Sequence, residues 1–226
     1  MTQYLFSLRM RAAVCGVFGI LIAGLGASPA LAAKKPPKVP ISIDTTACAT
    51  PAFSQAFLSY GDLNWYTLAP GQTVDSFDGT GWSLSGGAQI QNGGLVNGSV
   101  GKVLDLPAGS KAVSPTMCVN AAYTAARTMV RNVKGKDGVS FFISYQGTKT
   151  EIKPHKSGDV RGKDNDWTLS KPLKVDPDKN PGWQLVKFSF VAKDSSGESK
   201  SKSGESAESK TNETQISNFY VDPRMK

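Results

Sequence analysis

The chain is poor in the residues that carry most chemistry. It has one histidine, His155, in 226 residues. It has three cysteines and no CxxC pair, so neither a redox dithiol nor a structural zinc site is indicated. No P-loop, dinucleotide fingerprint, GxSxG elbow or HExxH is present. No arginine-rich helix or basic reading motif occurs, which argues against a nucleic-acid partner. No long amphipathic helix is evident, nor any alternation of strands with helices. His155 sits in the polar stretch KPHKSG, where a lone histidine is ordinary surface. The carboxylates mostly lie beside glycine, proline or lysine, where aspartate caps turns, and no pair stands out for glycoside hydrolysis.

The N-terminus does carry a pattern. Arg9 and Arg11 precede a 14-residue uncharged run, Ala12 to Leu25. That is the length of a signal-peptide core and short of the roughly 20 residues that span a bilayer. Ala30-Leu31-Ala32 fits the small-residue rule for cleavage, so residues 1–32 are expected to be a signal peptide. The protein is then secreted or associated with the cell envelope, with no membrane-spanning segment after cleavage. Cleavage removes two arginines and no acid, so the net charge falls from +8 to +6. It also removes Cys15 and leaves Cys48 and Cys118, which oxidising surroundings favour as a disulfide. Closing that 70-residue separation is worth about 4 kcal/mol on chain-entropy grounds.

Residues 33–44 form a lysine- and proline-rich lead, and 45–226 a single domain. Within the domain the signals are short and β-like. They run through Asn64–Leu68, Trp82–Ile90, Lys102–Leu106, Ala112–Asn120, Thr128–Val133, Val139–Tyr145, Trp183–Ala192 and Gln215–Val221. Gly86-Gly87 is expected to bend the second of these, and Pro107-Ala108-Gly109 to turn after the third. In Trp183–Ala192 the set Gln184, Val186, Phe188, Phe190 and Ala192 is the more apolar and is expected to face a core. Residues 48–60 allow one short helical turn, limited by Pro51 and Gly61. Residues 146–166 read as a polar excursion. Residues 193–212, KDSSGESKSKSGESAESKTN, have almost nothing to bury and are expected to form a flexible insert. The fold class is therefore all-β, a jelly-roll β-sandwich of about eight to ten strands with one disulfide.

Aromatic residues are the main functional signal. Trp82 and Trp183 suit a sandwich core. Trp65, Tyr66 and Trp167 are the candidate ligand-binding residues, because flat rings beside polar side chains suit stacking on sugars. Asn97-Gly98-Ser99 and Asn212-Glu213-Thr214 match the N-glycosylation pattern.

The motifs Gly61-Asp62 with Tyr66, Gly81-Trp82-Ser83-Leu84, Leu106-Pro107-Ala108-Gly109, Ser114 through Val119 and Phe219-Tyr220-Val221-Asp222-Pro223 follow in order between Cys48 and the C-terminus. This order resembles that of a group of uncharacterised exported bacterial proteins, common in actinobacteria, with a carbohydrate-binding-like (galactose-binding-like) jelly roll. The resemblance implies a Cys48–Cys118 bridge. It also implies calcium held by paired acids near the last strand, but Ser217 and Asn218 stand where those acids would be. Asn218 is left as the metal-ligand candidate, and no other cofactor is expected. The resulting expectation is a non-catalytic extracellular module that binds a glycan or cell-envelope component. The alternative is a structural or protein-interaction domain without a small-ligand site. A glycan-active enzyme is the least favoured reading.

Overall fold

A computed structural model describes residues 46, 48, 51–146, 154–175, 183–193 and 212–223, all within the unit Val39–Lys226. The proposed signal peptide, the whole lead (33–44) and nearly all of the polar insert (194–211) lie outside the described residues.

Among the described residues thirteen strands form two antiparallel sheets. The seven-stranded sheet is built from β1 (Thr67–Leu68), β3 (Gln89–Gly94), β4 (Val100–Pro107), β7 (Tyr123–Lys134), β10 (Thr168–Leu169), β11 (Leu173–Lys174) and β13 (Glu213–Pro223). Its main order is β10-β7-β13-β4-β3, with β1 against β13 and β11 against β7. The six-stranded sheet contains β2 (Ser83–Ser85), β5 (Lys111–Val113), β6 (Met117–Val119), β8 (Val139–Gln146), β9 (His155–Val160) and β12 (Gln184–Ala192). Its order is β2-β5-β12-β8-β9, with β6 also on β12. The chain passes repeatedly from one sheet to the other, as in a jelly-roll sandwich. Among the described residues no helix is long and apolar enough to cross a membrane.

Strands exceed the expected eight to ten partly because proline breaks the ladders. β5 and β6 line the same edge of β12, interrupted at Ser114-Pro115-Thr116. β10 and β11 are separated around Pro172 on β7. Proline has no amide to donate, so each ladder stops there. The expected strand Trp82–Ile90 divides at Gly86-Gly87, both at positive φ, and its halves join different sheets. The excursion expected at 146–166 is corrected in part: His155–Val160 pairs with β8 as an edge strand.

Alternation explains the core. Val139, Phe141 and Ile143 of β8 and Val186, Phe188, Phe190 and Ala192 of β12 are fully or nearly buried between the sheets. Phe219 of β13 completes the layer, with its ring edge-on to Phe188 and Phe190 at 5.1 and 5.2 Å. Trp82 is core, stacked on Phe190 with its indole nitrogen donating to the Pro70 carbonyl at 2.8 Å. Trp183 is half-buried against the same core, tilted on Tyr123. Cys48 and Cys118 are bridged, with Cα atoms 5.7 Å apart, which ties the N-terminal segment to β6.

Candidate binding site

A second, smaller apolar cluster lies on the outer face of the seven-stranded sheet. Neighbours in sequence point to opposite faces of a strand. Phe219 and Val221 face the core, so Tyr220 faces out; Val130 faces in, so Met129 faces out. Tyr220 and Met129 are covered by Phe57 and Tyr66 of the segment 54–66. The three rings meet edge-on, with Phe57 5.0 Å from Tyr66 and 5.2 Å from Tyr220. This segment is a compact Ω-like loop closed at its base. Ser54 and Tyr66 exchange two backbone hydrogen bonds of 2.9 and 2.8 Å. At its tip Leu58–Tyr60 makes one 3-10 turn, ended by Gly61 at φ 76° with its amide on the Leu58 carbonyl. Glycine is favoured there because a Cβ opposes a left-handed backbone.

Asp62 locks the loop to the sheet. Its carboxylate accepts from the Tyr66 hydroxyl at 2.6 Å, the backbone N–H of Asn64 at 3.1 Å and Arg127 Nη1 of β7 at 2.5 Å. Burial alone would raise the Asp62 pKa, but these donors and the Arg127 charge together hold it below the ordinary carboxylate value. Burial pushes the Tyr66 hydroxyl up, and its hydrogen bond to Asp62 adds to the rise. Asp62 is therefore an ionised acceptor near neutral pH, and Tyr66 a donor.

Two cavities open on either side of this loop. The larger, about 560 Å³, is lined by polar groups that include Asp62, Asn64, Thr124, Arg127 and Asp222. The smaller, about 320 Å³, is more apolar, with Phe57, Val74, Leu95, Val96, Met129 and Tyr220 in its wall and Ser59, Asn97 and Asn218 among its polar groups. Tyr60 lines both, and the residue is 44% exposed. Both volumes fall in the range of small-ligand sites.

The three aromatic candidates are not brought together as one platform. Trp65 is 46% exposed, between Asn64 and Tyr66, which line the larger cavity. Tyr66 is 1% exposed, which corrects its reading as a stacking face: its ring is spent on Phe57 and Tyr220. Trp167 packs at the edge of the same outer cluster, partly buried. Its indole donates to the Gly94 carbonyl at 2.9 Å, and the Arg131 guanidinium sits 4.7 Å from its ring centre. That arginine ends a polar row across four strands, in which Gln89, Asp105, Gln215 and Arg131 are successive cross-strand partners. Arg131 donates twice to Gln215 Oε1, and Gln215 Nε2 donates to Asp105 at 3.0 Å. Burial raises the Asp105 pKa against the hydrogen bonds from Gln215 and Gln89.

Asn218 sits at a bulge in β13, between the pairs Ile216↔Val130 and Phe219↔Thr128. Its side-chain amide donates to the Thr73 carbonyl at 3.0 Å, and its oxygen accepts from the Ser217 hydroxyl at 2.8 Å. A donor aimed at the nearby carbonyl does not fit a calcium cage, which needs six to eight oxygen ligands. Among the described residues no three His, Cys, Asp or Glu side chains are placed to hold a metal. His155 stacks on Tyr145 at the exposed edge strand β9. Asn97 is exposed in the β3–β4 turn, whereas Asn212 is 1% exposed and donates to the Gly138 carbonyl, so the second glycosylation triplet is closed in the fold.

Tyr60 is the residue that sequence reasoning missed. Its signal was local: it stands just before the Gly61-Asp62 turn, where a ring has no strand to bury it.

No protein-family model matches the chain. No curated protein matches it in sequence. Among solved structures, the chain is similar to the C-terminal family 22 carbohydrate-binding module of Clostridium thermocellum Xyn10B, at 12% identity over 66% of this chain and 92% of that one, with a TM-score of 0.40. It is similar to the CBM22-1 xylan-binding domain of Paenibacillus barcinonensis Xyn10C, at 10% identity over 65% and 88%, with a TM-score of 0.38. It is also similar to the C-terminal CBM6 of LamC, a marine laminarinase of Zobellia galactanivorans, at 12% identity over 62% and 90%, with a TM-score of 0.34.

Proposed function

We propose that the chain is exported, with cleavage after Ala32, and that its sandwich domain is a non-catalytic module that binds a glycan through the cleft around Tyr60. The observation that carries this reading is the placement of Tyr60. Its partly exposed ring stands between two cavities, with the fixed acceptor Asp62 and the polar Asn64 beside it. A sugar has an apolar face of C–H bonds and a rim of hydroxyls. An aromatic ring takes the first, and oriented carboxylate and amide groups take the second. Trp65 is a second ring at the rim, Tyr66 acts through its hydroxyl on Asp62, and Trp167 with its polar row is a further contact on the same sheet face. Calcium has no part in the proposed site.

A second reading has its own support. Leu58, Leu63, Val74 and Val96 are exposed around the same cleft. Such a patch suits a protein partner, and makes the domain an interaction module.

The test is retention of the mature chain on insoluble polysaccharides and purified cell envelopes. A glycan module stays bound at about 1 M salt, where the Debye length is about 3 Å, and is released by free sugar. Retention that salt alone abolishes reports the +6 charge and removes the support for this reading. Retention that salt does not abolish, but that only a protein component of the envelope explains, favours the interaction module.

A further inference from the structure

We infer, resting on the glycan reading above, that the sugars taken by this cleft carry a small acyl substituent such as an N-acetyl or O-acetyl group. The two cavities share Tyr60, and only the smaller has an aliphatic side chain pair, Val74 and Val96, exposed at its wall. The larger is lined by the polar side chains of Asp62, Asn64, Thr124, Arg127 and Asp222, with Asp62 already oriented by Arg127 and Tyr66. The smaller has an aliphatic side formed by the exposed Val74 and Val96 over the buried Leu95, Met129 and Tyr220, and a polar side formed by Ser59, Asn97, Ser217 and Asn218. An unsubstituted hexose or pentose chain presents hydroxyls on every side. Seated across Tyr60, it would leave some of them against aliphatic carbon, where burying a hydroxyl without a partner is costly. An acetyl group fits that wall, because its methyl is apolar. Its carbonyl needs only a donor at the rim, and Ser59 and Asn97 stand there.

The net charge of the chain does not determine the ligand. No lysine lines either cavity, and the one arginine, Arg127, is paired with Asp62.

Calorimetric titration tests this on the mature, disulfide-bonded chain. Chito- and cello-oligosaccharides of equal length differ at C2, where one bears an acetamido group and the other a hydroxyl. Acetylated xylan and its deacetylated form make a second such pair. In at least one pair the acetylated member is expected to bind about tenfold tighter or more, the discrimination typical of a small apolar group in a fitted pocket. The double variant Val74→Asp with Val96→Asp should erase that preference. Both side chains are exposed, so the fold should survive, and circular dichroism checks it. Equal or weaker binding of both acetylated members overturns the inference and leaves the glycan reading standing. A preference that survives the double variant overturns the placement of the acyl group in the smaller cavity. Absence of binding to all four probes, together with no retention on any polysaccharide, brings down both.

Discussion

Asp62 and Arg127 lie 65 residues apart in the chain and meet at 2.5 Å on the outer face of the seven-stranded sheet. One belongs to a loop with few backbone bonds to the sheet, the other to a central strand. Their contact converts a surface loop into a fixed wall of the larger cavity. With the Tyr66 hydroxyl it also leaves Asp62 ionised and oriented before any ligand arrives, so less ordering is required on binding.

The Asp62 carboxyl is held below its ordinary value in the folded chain, so its contribution to stability is complete above the unfolded pKa and disappears as pH falls through the folded one. Amide exchange should show residues 54–66 protected at pH 7 and progressively less protected below about pH 4. Asp62→Asn should lower that protection at pH 7 by roughly 1–3 kcal/mol and flatten its pH dependence in acid. A wild-type loop equally protected at pH 3 and pH 7 would contradict the role given to this pair.

Asp159 offers a contrasting case at the exposed edge. Burial would raise its pKa, but Lys156, Ser140 and Lys193 together bring it down to about 2. The stability it contributes is present above the ordinary carboxylate value and is lost as pH falls towards about 2. The group is well exposed and screened, so Asp159→Asn should cost no more than about 1 kcal/mol in denaturant titration, and less in high salt.

The Cys48–Cys118 bridge holds the segment leading into residues 54–66 against β6. Replacing both cysteines by serine should lower stability by up to about 4 kcal/mol, measured by chemical unfolding. An unchanged unfolding midpoint would show that the bridge constrains nothing in the unfolded chain.

Gly71 stands where any side chain would collide. Its φ is +79°, and a Cβ there would lie 2.2 Å from the Thr80 carbonyl oxygen and 2.8 Å from the Trp82 ring. Gly71→Ala should cost about 3 kcal/mol or more, seen as a fall in melting temperature of about 6–12 °C for a domain of this size. It should also disturb Gln72, whose side chain exchanges hydrogen bonds with the backbone of Phe219 beside the β13 bulge.

The core was legible in sequence wherever one strand alternates cleanly. In Gln184–Ala192 the period of two turned Phe188 and Phe190 inward without knowledge of the partner sheet, and in Val139–Gln146 the same period puts Phe141 and Ile143 on one face, which the structure buries. Gly86-Gly87 announced a break, but not that its two sides would join different sheets. β9 was hidden because HKSGDV is polar on both faces, and only its pairing with β8 makes it a strand. The binding cleft was legible only in part. Adjacent Trp65 and Tyr66 had to differ in exposure, but which ring would be covered depended on Phe57 and Tyr220, the latter more than 150 residues away. The link from Asp62 to Arg127, and the position of Tyr60 between two cavities, exist only once the loop lies on the sheet.

The central claim is that Tyr60 marks a glycan-binding cleft. Its most direct measurement compares the retention of wild type and Tyr60→Ala on polysaccharide at about 1 M salt, with unfolding midpoints measured in parallel. Tyr60 is partly exposed, so the variant should keep nearly the wild-type midpoint while its affinity falls roughly tenfold or more, the scale of a lost aromatic anchor. Unchanged retention by a folded Tyr60→Ala variant would contradict the account.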